Sequence, residues 1–127
     1  MFCYALTKDV WVAGGAVSNG GMVQRWLTET YAPGADDAEA CRRAEAIPAG
    51  AEGLVMVPYL VAERASLWDS EIRGAFLHVR RAHTADHFIR AGIEGVAFQL
   101  WTILRRLRMI NRVEEIRATG GVFRSQV

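Results

Sequence analysis

Two glycine pairs lie near the front of the chain, Gly14-Gly15 and Gly20-Gly21, and a third, Gly120-Gly121, lies near its end. The Gly14-Gly15 and Gly120-Gly121 pairs each follow a short run that reads as a strand, and Gly20-Gly21 precedes apolar residues at helical spacing. Glycine lets a backbone approach a ligand closely, and a helix N-terminus offers free N–H groups with a partial positive charge; together these suit a phosphate. The front pattern is neither a Walker A loop, since no Gly-Lys-Ser/Thr follows, nor a GxGxxG turn. A tight turn needing positive φ is the competing reading there. Two strand-to-helix glycine turns in one domain reinforce each other, because nucleotides often span several such turns at the carboxyl ends of strands.

Other chemistry-bearing groups are weaker candidates. His83 and His87 have the i,i+4 spacing of helix-borne metal ligands, but no glutamate beside His83 completes HExxH. Surface or capping histidines fit better. Arg105, Arg106 and Arg108 fall in the last turns of a long helix, where cations complement the dipole, and read as a solvated face rather than a nucleic-acid patch. Glu63-Arg64 lies in a long connection near Trp68 and Asp69. It suits either orientation of a polar substrate or an ion pair holding the loop. No Ser/His/Asp or Cys/His arrangement has a spacing that speaks for itself.

The elements that must position these residues follow from periodicity. Phe2 to Leu6 and Val10 to Ala13 read as strands joined by a Thr7-Lys8-Asp9 turn. A helix spans about Met22 to Tyr31, with Ser18 or Asn19 as its expected cap and Pro33-Gly34 as its stop. A second helix fits Asp37 to Ala46, with Asp36 and Asp37 at the favourable end of its dipole. Its apolar content is mostly alanine, which suggests a surface helix. Leu54 to Val57 reads as a buried strand stopped by Pro58, and Ala75 to Val79 as another. Between them, residues 59–73 form an aperiodic connection of a length that is often functional. Thr84 caps the longest helix, which runs to about Met109 with Ile89, Ile93, Val96, Leu100, Ile103, Leu104 and Leu107 on one stripe. Arg90 and Glu94 form an i,i+4 pair on it. Gly92 and Gly95 each cost this helix about 1 kcal/mol against alanine, so close packing against another backbone is expected there. Glu115 to Thr119 reads as a final strand.

At 127 residues and 14.1 kDa the chain fits one domain, and 51% hydrophobic against 23% charged residues is ordinary for a globular protein. Fifteen basic residues against fourteen acidic leave a net charge of +1, so nothing pulls the chain towards nucleic acid or anionic lipid. Cys3 and Cys41 lie far apart without a CxxC, which excludes a disulfide framework or a cysteine zinc site and suits a reducing cytoplasm. No apolar run is long enough for a membrane span, and the first residues lack a secretion signal. A cytoplasmic protein is expected. The final strand and glycine turn lead into a helix that does not follow, which suggests a piece of something longer.

From Pro58 onward the residues resemble a known family. The run Pro58-Tyr59-Leu60-Val61-Ala62-Glu63-Arg64-Ala65-Ser66-Leu67-Trp68, followed by Arg73-Gly74-Ala75-Phe76, is similar to the PYLxGERxPxW…RGxF signature of the FGGY carbohydrate kinases. His83-Thr84, His87-Phe88-Ile89-Arg90-Ala91 and Glu94-Gly95-Val96-Ala97-Phe98 look like its second signature, and Thr119-Gly120-Gly121 with Arg124-Ser125 resembles its TGGxxxS adenosine turn. Cys3-Tyr4, Trp11, Gly14 to Val17, Asn19 to Gly21 and Arg25 to Leu27 look most like the gluconate kinase branch. The similarity covers nearly the whole chain in order.

The resemblance implies an α/β, ribonuclease H-like (actin-like ATPase) domain, here partial: residues 1–127 as part of the C-terminal nucleotide-binding domain. It implies transfer of the ATP γ-phosphate, with Mg²⁺, to a hydroxyl of a sugar or sugar acid, gluconate first and xylulose or another pentulose as alternatives. Gly21 matches a position whose backbone nears the nucleotide phosphates, and Arg25 lies one turn further on. Gly120 and Gly121 match the turn that packs on adenosine, and Ser125 a polar position near the base. The sequence departs from the family where Ala62 and His78 replace glycines, where Gly92 replaces a larger residue, and where Val122-Phe123 replaces a small pair. The family's catalytic aspartate, its Gly-Thr-Ser-Gly loop and its sugar-binding domain belong upstream of the matching segment. The chain alone is therefore expected to be inactive, its partners a nucleotide and, through the missing domain, a sugar. The alternatives are a non-catalytic module that self-associates through unpaired sheet edges, and the product of a split gene.

Overall fold

The computed structural model describes residues 2–65, 67–110 and 112–116. The element order is β1 (Phe2–Ala5), β2 (Trp11–Gly14), α1 (Gly21–Tyr31), α2 (Asp37–Glu45), a 3-10 turn (Ala51–Gly53), β3 (Val55–Val57), β4 (Ala75–Leu77) and α3 (Ala85–Ile110). β1 and β2 form an antiparallel hairpin with Phe2 opposite Gly14 and Ala5 opposite Trp11. Its turn closes as expected on Thr7, whose hydroxyl oxygen accepts the N–H of Val10 at 3.1 Å. Gly14 lets the Phe2 ring lie over the hairpin: a Cβ there would lie 2.6 Å from the end of that ring.

α3 is the spine of the molecule, about 39 Å long at 1.5 Å per residue. α1, α2 and β3 all pack on it. Its buried seam runs through His87, Ile89, Gly92, Gly95, Gln99 and Ile103. That corrects the expected stripe, of which only Ile89 and Ile103 are fully buried while Leu100 is exposed. The glycines explain the rotation. A Cβ on Gly92 would lie 2.2 Å from Leu27 Cδ1 of α1, and one on Gly95 would lie 2.6 Å from the backbone oxygen of Met56 in β3. The helix therefore turns its two glycines, along with Ile89 and Ile103, towards its neighbours.

α2 begins on Asp36, whose carboxylate accepts the Glu39 N–H at 2.8 Å. It is the surface helix expected, packed by one face: Ala40, Cys41 and Ala44 are buried, their small side chains allowing close contact with α3, while Asp37, Ala38, Arg42 and Glu45 are exposed. The Arg43 guanidinium meets Asp86 on the first turn of α3 at 2.7 Å. β3 pairs antiparallel with β4, Met56 opposite Phe76. Leu54 and Met56 are buried as expected of this strand, while Val55 between them is exposed, so the burial is on one face. The core gathers Val23 and Leu27 of α1, Ala40 and Ala44 of α2, Leu54, Met56, Ile89 and Ala91. Beside it Tyr31 stacks on Phe88 at 4.8 Å between ring centroids, and Phe76 meets Phe88 edge-on at 4.9 Å.

The strand expected over 115–119 is not seen at Glu115 and Ile116, and its other residues lie outside the described ones. Among the described residues no helix is long and apolar enough to cross a membrane.

Candidate functional site

α1 starts without a side-chain cap. Its N-cap is Gly20, and Gly21 is its first residue. Ser18 and Asn19, expected to cap it, are committed elsewhere, and the reason lies 44 residues along the chain. Glu63, only 3% exposed, is buried beneath the turn. One of its carboxylate oxygens accepts the backbone N–H of Ser18 at 2.9 Å and that of Arg64 at 2.7 Å. The other accepts the side-chain amide of Asn19 at 2.9 Å and that of Gln99, reaching in from α3. Burial alone pushes the Glu63 carboxyl up, but these hydrogen bonds outweigh it and hold the group below the ordinary carboxylate value. The nearby Tyr59 hydroxyl is pushed up by burial and by the Glu63 charge.

Asn19 is fully buried and serves both partners. Its oxygen accepts the N–H groups of Leu60 and Val61 at 2.8 and 3.0 Å, and its amide also donates to the Val61 carbonyl at 2.9 Å. Arg64 crosses back, donating to the Ser18 hydroxyl at 3.1 Å and the Val17 carbonyl at 3.2 Å. The Ala65 N–H donates to the Ala16 carbonyl at 2.9 Å. Residues 16–19 and 60–65 are thus laced together directly below the Gly20-Gly21 turn. An uncapped helix start of this kind presents N–H groups and the positive end of a dipole. Gly21 is exposed there, and exposed Arg25 follows one turn later on α1.

The structure brings Gly21 and Arg25 together and assigns Gly14 and Gly15 to packing. A Cβ on Gly15 would lie 3.0 Å from Ile103 Cγ2 and 3.1 Å from Ala65 Cβ. Gly120, Gly121 and Ser125 lie outside the described residues. Glu63 and Arg64 both hold the loop, but not through the ion pair expected: the Arg64 guanidinium bonds Ser18 and Val17 while Glu63 takes neutral donors. His87 is a capping residue: its Nδ1 accepts the Thr84 N–H at 3.1 Å at the start of α3, and the His83 Nδ1 accepts the Arg80 N–H at 3.1 Å. No group of three or more metal-ligating side chains occurs among the described residues. The Arg108 guanidinium lies over the Trp101 ring at 5.3 Å, which accounts for one of the three helix-end arginines. Asn19 and Gln99 were missed as site residues. Gln99 carried a signal, since it is the one polar residue within the apolar-leaning stretch from Val96 to Trp101.

His78 adopts φ +60°, a conformation glycine takes without strain. This is one of the positions where the sequence replaces a signature glycine.

A model of the FGGY family of carbohydrate kinases, C-terminal domain, matches residues 2–127. The gluconokinase of Bacillus licheniformis is 40% identical over an alignment covering 100% of this chain and 27% of its own length. The xylulose kinase of Bacillus subtilis is 36% identical, covering 90% of this chain and 23% of its own. Among solved structures, the gluconate kinase of Lactobacillus acidophilus superposes with a TM-score of 0.80 at 35% identity over 87% of this chain and 23% of that one. The xylulose kinase of the same organism gives 0.78 at 37% identity over 84% and 22%. The chain therefore spans about a quarter of the length of these relatives. The likeness shows an actin-like ATPase architecture of mixed α/β type with short strands and one long helix. By its sequence and its fold the chain belongs to the FGGY family of carbohydrate kinases.

Proposed function

We propose that this chain is part of the ATP-binding half of a sugar kinase that transfers the γ-phosphate of ATP to a hydroxyl of gluconate, residues 1–127 forming part of its C-terminal domain. The observation that supports this reading is the uncapped Gly20-Gly21 start of α1, held from below by the signature residue Glu63 and followed by Arg25. Free N–H groups, a dipole end and a guanidinium fit a phosphate chain, and any Mg²⁺ would be held by the phosphate oxygens rather than by these groups. Gly21 and Arg25 would meet the phosphates. Gly120 and Gly121 would pack on adenosine, with Ser125 near the base. Gluconate is favoured over a pentulose by the 40% identity to gluconokinase along the whole chain, against 36% to the xylulose kinase.

Phosphoryl transfer needs several parts held in line. The 127 residues alone hold some of them, and no phosphorylation of gluconate by the purified chain is expected. Titration with MgATP by calorimetry, with circular dichroism reporting the fold, tests the reading. Saturable binding, weakened by Gly21→Val and by Gly121→Val, is expected. A folded chain that binds no MgATP overturns it. A second reading, a self-associating module, is favoured by the exposed Tyr4, Trp11, Phe98 and Trp101.

A further inference from the structure

Residues 16–19 reach the Gly20-Gly21 turn with their hydrogen bonds committed to one buried carboxylate and its partners. Four donors converge on Glu63: the Ser18 and Arg64 backbone N–H groups and the Asn19 and Gln99 side-chain amides. They come from the strand-to-helix loop before α1, from the signature loop itself and from α3. Among the described residues the bonding partners of Glu63 are all neutral, and the Arg64 guanidinium turns away to Ser18 Oγ and the Val17 carbonyl. A carboxylate has acceptor sites for all four donors, whereas a glutamine must turn an NH₂ group towards two of them.

We infer that Glu63 is a positioning residue whose negative charge sets the conformation of the Gly20-Gly21 turn, and with it the direction of the N–H groups that α1 presents to nucleotide phosphates. The inference rests on the nucleotide-binding reading above, and deepens it by naming what orients that helix start. Glu63 lies behind the turn and does not itself touch ligand. Asn19 transmits its placement, since the same side chain also bonds Leu60, Val61 and the Val61 carbonyl. Gln99 ties the carboxylate to α3, so the turn is referenced to the spine of the molecule rather than to a free loop.

Glu63→Gln keeps the shape and removes the charge. The expected result, by hydrogen exchange of the folded chain, is at least about tenfold faster exchange at the Ser18, Leu60 and Val61 amides. The Met56 amide in β3, which reports the global stability, should accelerate by a clearly smaller factor than Ser18. MgATP affinity, measured in parallel, weakens by a similar factor. Gln99→Leu keeps the charge and loses one donor. It serves as the milder variant if Glu63→Gln does not fold, and should speed Ser18 exchange by a smaller factor. Unchanged Ser18 exchange in the folded variant overturns the inference. So does a Met56 amide that accelerates in step with Ser18, which marks a merely structural role, or a loosened turn with unchanged affinity. If the wild type binds no MgATP, the nucleotide reading falls, while the exchange pattern still decides whether the charge sets the turn.

Discussion

Glu63 gathers four hydrogen bonds on one buried carboxylate, and its ionisation is linked to folding. The group titrates below the ordinary glutamate value of 4.5, because the bonds from Asn19, Ser18, Arg64 and Gln99 outweigh its burial. A carboxylate with a depressed folded-state pKa contributes stability that is complete above the unfolded value and is lost as pH falls through the folded one. Wild type should therefore be more stable than Glu63→Gln at neutral pH. The gap in urea midpoint should close as the pH is lowered below about 4.5. A gap that stays constant through that range would show that the charge contributes nothing. At this scale the sequence was partly legible. Glu63-Arg64 was visible as a place where the loop is held, though the ion pair expected between them does not form, and His87 was visible as a capping histidine. The bonding of Glu63 to Asn19 and Gln99 was not, because partners 44 and 36 residues away leave no periodicity to read.

Elements meet where side chains are smallest. Gly95 of α3 faces the backbone oxygen of Met56, which belongs to a paired strand and has little freedom to move. Gly92 faces the end of the Leu27 side chain, which is buried but has rotamers to exchange. Both changes to alanine gain about 1 kcal/mol of helix propensity. Gly95→Ala should nevertheless destabilise the chain, by about 1–3 kcal/mol in urea unfolding, and by more than Gly92→Ala. The reverse order would mean that β3 yields more easily than the Leu27 pocket. The glycines were readable in sequence as sites of close packing, since nothing else justifies their cost inside a helix. The seam they create was misread, because an apolar stripe marks what can be buried and the glycines decide which face approaches. The alanine-rich α2 was legible as a surface helix, but the tightness with which its Ala40, Cys41 and Ala44 face meets α3 was not.

For the molecule as a whole, the core lies among α1, α2, α3 and the β3–β4 pair, while the β1–β2 hairpin exposes Tyr4, Leu6, Trp11 and Val12. α3 adds Phe98, Trp101, Met109 and Ile110 on its open side. Two-stranded sheets leave unpaired edges, and edges beside apolar side chains recruit other chains. Light scattering of the purified chain should give a mass that rises with concentration, and Trp11→Lys should lower that rise. A concentration-independent monomer would remove the self-associating reading. The order and type of the three helices and of strands β1 to β4, the hairpin turn and the family signatures were determined by the sequence itself, because turns, caps and periodicity are local physics. Only the tertiary structure decided which face of α3 is buried, that Asn19 abandons a helix cap for a distant loop, and that one carboxylate joins the α1 start to α3. Those outcomes depend on groups far apart in the chain, whose meeting is set by packing and by the need to satisfy a buried charge.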